Sequence, residues 1–166
     1  MAEEYFKKNE DGRWVLEGED AIALWQQGAD VWNAAVAKHP NATVDFESFD
    51  FYHKKGSISF AGFDFPTGTV SFSRAFFGDV SFRYANFGDG DVLFHKTGFL
   101  HGNVDFTGAT FGSGQVHFLG AIFVIARGTP STIYRSDPDT GSLSFIREAP
   151  CPQNVISGFS TSTPGK

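Results

Sequence analysis

The stretch VSFSRAFFGDVSFRYANFG, residues 70–88, carries a phenylalanine at every fifth position, namely Phe72, Phe77, Phe82 and Phe87. A period of five fits neither the 3.6-residue repeat of an α-helix nor the two-residue alternation of a strand. It is expected of a chain that runs extended for about two residues, turns a corner, and repeats. Four such sides would close a square coil, and successive coils would pair through parallel backbone hydrogen bonds about 4.8 Å apart.

The same register continues on both sides of this stretch, from about residue 44 to residue 124. A second column of mostly small apolar residues lies two positions before these phenylalanines, with Phe49, Phe63 and Thr97 as its exceptions. A two-residue insertion after Phe65, Phe87 and Phe111 returns every four sides. The pattern predicts a mainly β protein, a four-sided β-helix solenoid of about three and a half coils with a phenylalanine-filled axis. The in-register residues, 14 of the 20 phenylalanines, are Phe46, Phe51, Phe60, Phe65, Phe72, Phe77, Phe82, Phe87, Phe94, Phe99, Phe106, Phe111, Phe118 and Phe123.

Several five-residue units carry a family resemblance: AFFGD, VSFRY, ANFGD, VDFTG, ATFGS and AIFVI. They resemble the pentapeptide-repeat family, whose unit is written A-(D/N)-L-x-x with Leu or Phe at the centre. The segment LWQQGADVWNAAVAKHPNATVDF, from Leu24 to Phe46, is similar to the leader that precedes the repeats in many bacterial members. The resemblance implies the solenoid fold, whereas a fold alone does not imply an activity.

The termini are expected to close the ends of the solenoid, giving three segments of one compact domain: 1–43, 44–124 and 125–166. EYFKKNEDGRWVLEG predicts a hairpin around an Asp-Gly turn, and residues 18–40 predict one capping helix that ends before Pro40. Trp25 and Trp32 fall on its apolar stripe, where they are expected to pack as a cap. STIYRSDPDTGSLSFI predicts a second hairpin, and the last residues resemble a tail.

Composition narrows the possible classes of protein. The net charge of -6 argues against a nucleic-acid partner, which normally requires a basic face. The single cysteine, Cys151, rules out an intramolecular disulfide and fits a reducing compartment. No stretch approaches the roughly 18 apolar residues of a membrane span. A soluble cytoplasmic protein is therefore expected, with no membrane partner.

The residues that flank each central phenylalanine are expected to face solvent. On the third and fourth sides they are polar or small, whereas the second side and part of the first are apolar. Seven apolar residues on adjacent sides would form a patch of a few hundred Å². Either segment 125–160 covers this patch, or a partner protein or second copy does. The predicted interaction residues are Tyr52, Phe76, Leu93, Leu100, Leu119, Ile122 and Val124.

No catalytic, cofactor-binding or metal-binding residues are predicted. His53, His95, His101 and His117 are expected to be surface residues, with His95 and His117 too far apart laterally to share a metal ion. Nothing in a regular rod assembles a nucleophile, a base and an orienting group. We therefore expect that the chain is not an enzyme.

Three functions remain open. The leading hypothesis is a non-catalytic protein interaction module that presents a rigid β-helix surface. The first alternative is implied only by the resemblance, since some family members imitate DNA and bind or protect type II topoisomerases. Here the outward acids Asp45, Glu47, Asp50, Asp64 and Asp105 spread over several sides. The second alternative is a small-molecule-binding or enzymatic protein with a pocket formed by the terminal segments.

Overall fold

A computed structural model describes residues 5–100, 102 and 104–124, together with the pairs 135–136, 143–144 and 155–156. For residues 123–124 and the three C-terminal pairs, only the backbone is described. The chain is built mainly of short strands in parallel and mixed sheets, with only two helices in the described part. Neither helix is long and apolar enough to cross a membrane.

The strands are short, and the two helices follow the first two strands. The helices are α1 (Gly18–Trp25) and α2 (Ala29–Val36). The strands are β1 (Lys7–Lys8), β2 (Trp14–Glu17), β3 (Thr43–Asp45), β4 (Ile58–Ser59), β5 (Val70–Ser71), β6 (Phe76–Phe77), β7 (Val80–Ser81), β8 (Val92–Leu93), β9 (Gly98–Leu100), β10 (Val104–Asp105), β11 (Val116–His117), β12 (Ile122–Val124), β13 (Arg135–Ser136), β14 (Leu143–Ser144) and β15 (Val155–Ile156).

Residues 43–124 form four parallel ladders. The first contains β3, β5, β8 and β11; the second contains Asp50, β6, β9 and β12. The third contains β4, β7 and β10, and the fourth consists of bridges between Asp64, Asn86 and Thr110. The chain visits the ladders in the order first, second, third, fourth, and then repeats that order. Partners in the first ladder are 26, 22 and 24 residues apart, and the other ladders keep the same spacing over the same stretches of chain.

The in-register phenylalanines form one ring column behind each ladder. Within a column the centroids are 4.6–5.6 Å apart and the planes lie within 14° of parallel. Rings of neighbouring columns meet edge to face, as Phe72 and Phe82 do at 5.5 Å and 77°. The predicted phenylalanine core is confirmed for the twelve of these residues that are buried. Phe111 is half-buried, and the side chain of Phe123 lies outside the described residues.

Glycines allow the rungs to approach closely at the corner between the fourth and first ladders. A Cβ on Gly90 would lie 2.0 Å from the carbonyl oxygen of Gly68, and one on Gly114 would lie 2.1 Å from that of Gly90. Neither glycine has positive φ, so it is the space and not the backbone conformation that requires glycine here. The predicted two-residue insertions after Phe65, Phe87 and Phe111 fall at this corner.

The corners after the first and third ladders are β-turns that place one residue at positive φ. In each turn the backbone N–H of the fourth residue donates a hydrogen bond to the carbonyl of the first. Examples are Ala75 to Phe72 and Ala85 to Phe82. Non-glycine residues in this conformation cost roughly 1–2 kcal/mol each, so the surrounding ladders must hold them there. The non-glycine residues concerned are Ser48, Arg74, Tyr84 and Lys96.

The hairpin predicted near the N-terminus is present. β1 pairs antiparallel with β2, and β2 adds to the first ladder by parallel pairing with β3. The single predicted helix is wrong, because Gly28 at φ 87° breaks it into α1 and α2. Since the break turns the second half of the segment, each helix presents its own tryptophan to the phenylalanine columns.

Trp25 and Trp32 close the start of the columns, as predicted. Trp32 stacks on Phe46 at 5.9 Å, and Trp25 stacks on Phe60 at 5.6 Å. Each indole also donates a hydrogen bond of 2.9 Å to a backbone carbonyl, Trp25 to Ser59 and Trp32 to Asp64. The two side chains therefore cover both the aromatic stack and the open edges of the third and fourth ladders.

The C-terminal segment is described only at three two-residue strands, β13, β14 and β15. β13 and β14 pair antiparallel, in agreement with the predicted hairpin. β15 pairs in parallel with β11 and so extends the first ladder by one rung. The rest of 125–166, including the segment predicted to cover the apolar patch, lies outside the described residues.

The close glycine corner makes a specific stability prediction. Gly90→Ala should lower the free energy of unfolding by about 3 kcal/mol, because the new methyl group meets backbone that cannot move aside cheaply. Gly78→Ala is the matched control, since its Cβ would make ordinary 3.4 Å contact with the ring of Tyr52 and Gly78 also lacks positive φ. Urea unfolding measures both; equal losses would contradict the close approach of these rungs.

Candidate interaction surface

The seven predicted interaction residues lie on the outer side of two neighbouring ladders, and we call this set the apolar face. Leu93 belongs to the first ladder and Leu119 flanks it, and the other five belong to or flank the second. The exposed fractions are 38% for Tyr52, 44% for Phe76, 62% for Leu119 and 46% for Ile122. Leu93 and Leu100 are half-buried, and the side chain of Val124 lies outside the described residues.

Aromatic side chains on this face lie close beside glycines of the next rung. Phe76 pairs in register with Gly98, and a Cβ on Gly98 would lie 2.7 Å from the Phe76 ring. The ring of Tyr52 lies in the same way beside Gly78, at 3.4 Å. Because the rings are held against backbone, they have little rotamer freedom to lose when a partner binds.

The first ladder adds a diagonal pair of histidines to the edge of the apolar face. His117 pairs in register with Leu93. The backbone N–H of Lys96 donates to the carbonyl of Leu119, so His95 lies opposite Leu119 on the next rung. The two rings of His95 and His117 are in contact, with centroids 5.4 Å apart and planes at 74°. The predicted lateral separation of these histidines is therefore wrong, because side chains on adjacent rungs lean across the diagonal.

The pKa of His95 is lowered, first by burial and then by repulsion from His117. This favours the neutral imidazole at neutral pH. Of the other predicted surface histidines, His53 is exposed and bonded through Nδ1 to Asp50 at 2.6 Å. His101 lies outside the described residues. Among the described residues no group of three or more His, Cys, Asp or Glu side chains is arranged to hold a metal ion.

Several of the outward acids are paired with cationic or basic side chains. Arg74 donates to Glu47 at 2.7 Å on the surface beside the first ladder. Arg83 donates to Asp105 at 3.0 Å on the third ladder. Together with the Asp50–His53 contact, these pairs interrupt any continuous acidic surface in the described part of the chain.

A surface groove of about 300 Å³ lies beside the apolar face, between the N-terminal hairpin and the first ladder. Lys7, Lys8, Glu17, Asp45 and Ser71 are among its lining residues. Burial raises the pKa of Asp45, and repulsion from Glu47 and Glu17 acts in the same direction against hydrogen bonds from the Glu47 amide and Ser71. Sequence reasoning missed this groove because it depends on β2 pairing with β3, which no local pattern predicts.

Comparisons with known proteins add no family or relative: no family model, curated protein or solved structure matches this chain.

The raised pKa of Asp45 predicts the direction in which stability changes with pH. The pKa of Asp45 is higher in the folded protein than in the unfolded chain. Ionisation of Asp45 therefore lowers the free energy of unfolding once the pH exceeds the unfolded-state pKa. Asp45→Asn should therefore raise the free energy of unfolding at pH 7, and the gain should vanish as the pH falls to about 3. Asp50→Asn is the opposite-sign control, because the hydrogen bond from His53 lowers the pKa of Asp50. Urea unfolding at both pH values measures the two variants; a loss for Asp45→Asn at pH 7 would contradict the expectation.

Proposed function

We propose that this chain is a non-catalytic protein interaction module whose apolar face binds a partner protein. The observation that carries the proposal is the exposure of Tyr52, Phe76, Leu119 and Ile122 on two adjacent ladders. Contiguous exposed apolar surface of this kind marks protein interaction sites more often than scattered exposure does. Tyrosine and phenylalanine are also among the residues enriched in the cores of interfaces.

The scaffold of this module is a four-sided β-helix of the pentapeptide-repeat type. The proposal is supported by the fixed order in which the chain visits four ladders and by their common spacing of 22 to 26 residues. The near-parallel ring columns support it as well. A working location in the cytoplasm follows from the single cysteine and the absence of any predicted membrane span.

A rigid scaffold explains how a small face can bind with useful affinity. Phe76 and Leu100 project from strands that are paired on both sides, and the rings of Phe76 and Tyr52 lie beside Gly98 and Gly78. Association then orders few side chains, which lowers its entropic cost. The function needs no chemistry at the surface, in keeping with a protein that is not an enzyme.

The charge pattern favours this function over imitation of DNA. A mimic needs a continuous acidic face, whereas Glu47, Asp50 and Asp105 each pair with a basic or cationic side chain. The groove beside the hairpin supports small-molecule binding less strongly, because about 300 Å³ is at the lower limit of ligand pockets. Its lining also carries charges of both signs, whereas such pockets are mostly apolar.

The repeat architecture can be tested by changing its length. Tandem duplication of residues 92–115 adds one rung to every ladder and should give a cooperatively folded protein with a raised melting temperature. Duplication of residues 92–103 alone would bring every later segment to the opposite side, and should abolish cooperative melting. Circular dichroism melts compare the two proteins. Equal tolerance of both insertions would contradict a four-sided coil.

The binding face can be tested with two charge-matched double variants. Phe76→Glu with Ile122→Glu places two carboxylates on the apolar face, and should weaken partner capture at least about 30-fold, as expected for buried interface anchors. Val31→Glu with Tyr84→Glu is the control, because both residues are exposed apolar side chains outside the face. Affinity capture from the host lysate with quantitative mass spectrometry compares these variants with the wild type. Partners retained by the first variant, or lost equally with the control, would contradict the proposal.

A further inference from the structure

His117 ends β11 and His95 lies two residues past β8, so the two histidines are neighbours on the outer surface, one rung apart along the first ladder. His117 lies opposite Leu93, and His95 lies opposite Leu119, so the four side chains form a square with the histidines on one diagonal. Each histidine therefore has two leucine neighbours, one on its own rung and one on the adjacent rung. Both rings are half-buried. The structure therefore holds two imidazoles in a fixed relation within a partly apolar setting, independently of the partner proposed for the apolar face.

We propose that His95 and His117 bind a divalent transition-metal ion of the zinc class. Two imidazoles whose nitrogens each lie about 2.0–2.1 Å from one tetrahedral ion have ring centroids about 5 Å apart. The observed centroid separation is 5.4 Å. The separation of the two rings is therefore close to the one that a shared ion requires.

The charged neighbours of the pair leave room for a cation. Imidazole binds metal ions in its neutral form. The aliphatic part of the neighbouring Lys96 side chain lies beside Gly120, in the turn after the first ladder. Arg74 is paired with Glu47.

Two protein ligands leave the remaining coordination positions to water or to a group from another molecule. Such a site is weaker than a four-ligand structural site, and it stays open to exchange. Because the ligands come from adjacent rungs, the bound ion would also tie β8 to β11. Metal binding should therefore stabilise the folded chain by an amount that depends on metal concentration.

Isothermal titration of the full chain with ZnCl₂, in a buffer that does not chelate zinc, tests the site. Saturable binding is expected for the wild type, and His95→Gln and His117→Gln should each weaken it at least tenfold. His53→Gln is the control, since His53 is exposed on a different side and contacts Asp50. Binding that is unchanged in the first two variants, or that is lost only in the control, would overturn the proposal.

A second measurement needs no substitution. In a histidine-selective NMR spectrum of the wild type, zinc should shift the imidazole signals of two of the five histidines. The melting temperature should rise in parallel with the titration. Signals that do not move at millimolar zinc, or a melting temperature that falls, would overturn the site even if the variants failed to fold.

Discussion

The structure depends on the stacking of phenylalanine rings along four columns. Each buried ring removes apolar surface worth roughly 1.5–3 kcal/mol from water. Each stacked or edge-to-face contact adds about 0.5–1.5 kcal/mol. The backbone contributes only two or three residues of strand per side, too little to be stable alone. The rings therefore fix both the direction of the ladders and the spacing of the rungs, and the outer surface inherits its rigidity from them.

A column of rings needs a cover at each end, and the start of this one is covered in two ways at once. The indoles of Trp25 and Trp32 continue the aromatic packing, while their N–H groups bond to carbonyls of the third and fourth ladders. Asn33 adds a reciprocal pair of bonds to Gly62 and Asp64 in the same region. The cap thus covers the exposed rings and also bonds to backbone groups at the ladder edges. It lies at the end of the ladders, so their outer sides can present the apolar face.

Much of this arrangement could be predicted from the sequence, because a phenylalanine at every fifth position leaves little choice about which side chains point inwards. The apolar face followed directly from that register. What could not be predicted depends on contacts between distant segments. Gly28, at φ 87°, divides the predicted helix into two, and Trp25 and Trp32 then contact different columns. The contact of His95 with His117 depends on how side chains lean between rungs, which spacing along the chain does not specify.

Between residues 43 and 124 the parallel partners in these ladders lie only 22 to 26 residues apart in sequence. A nascent polypeptide leaving the ribosome would deliver its tryptophan lid first and then one rung at a time. Each rung would find a completed template beneath it, and the loop to be closed would stay short however long the repeat became. For this part of the chain, vectorial assembly during translation is thus built into the order of the segments.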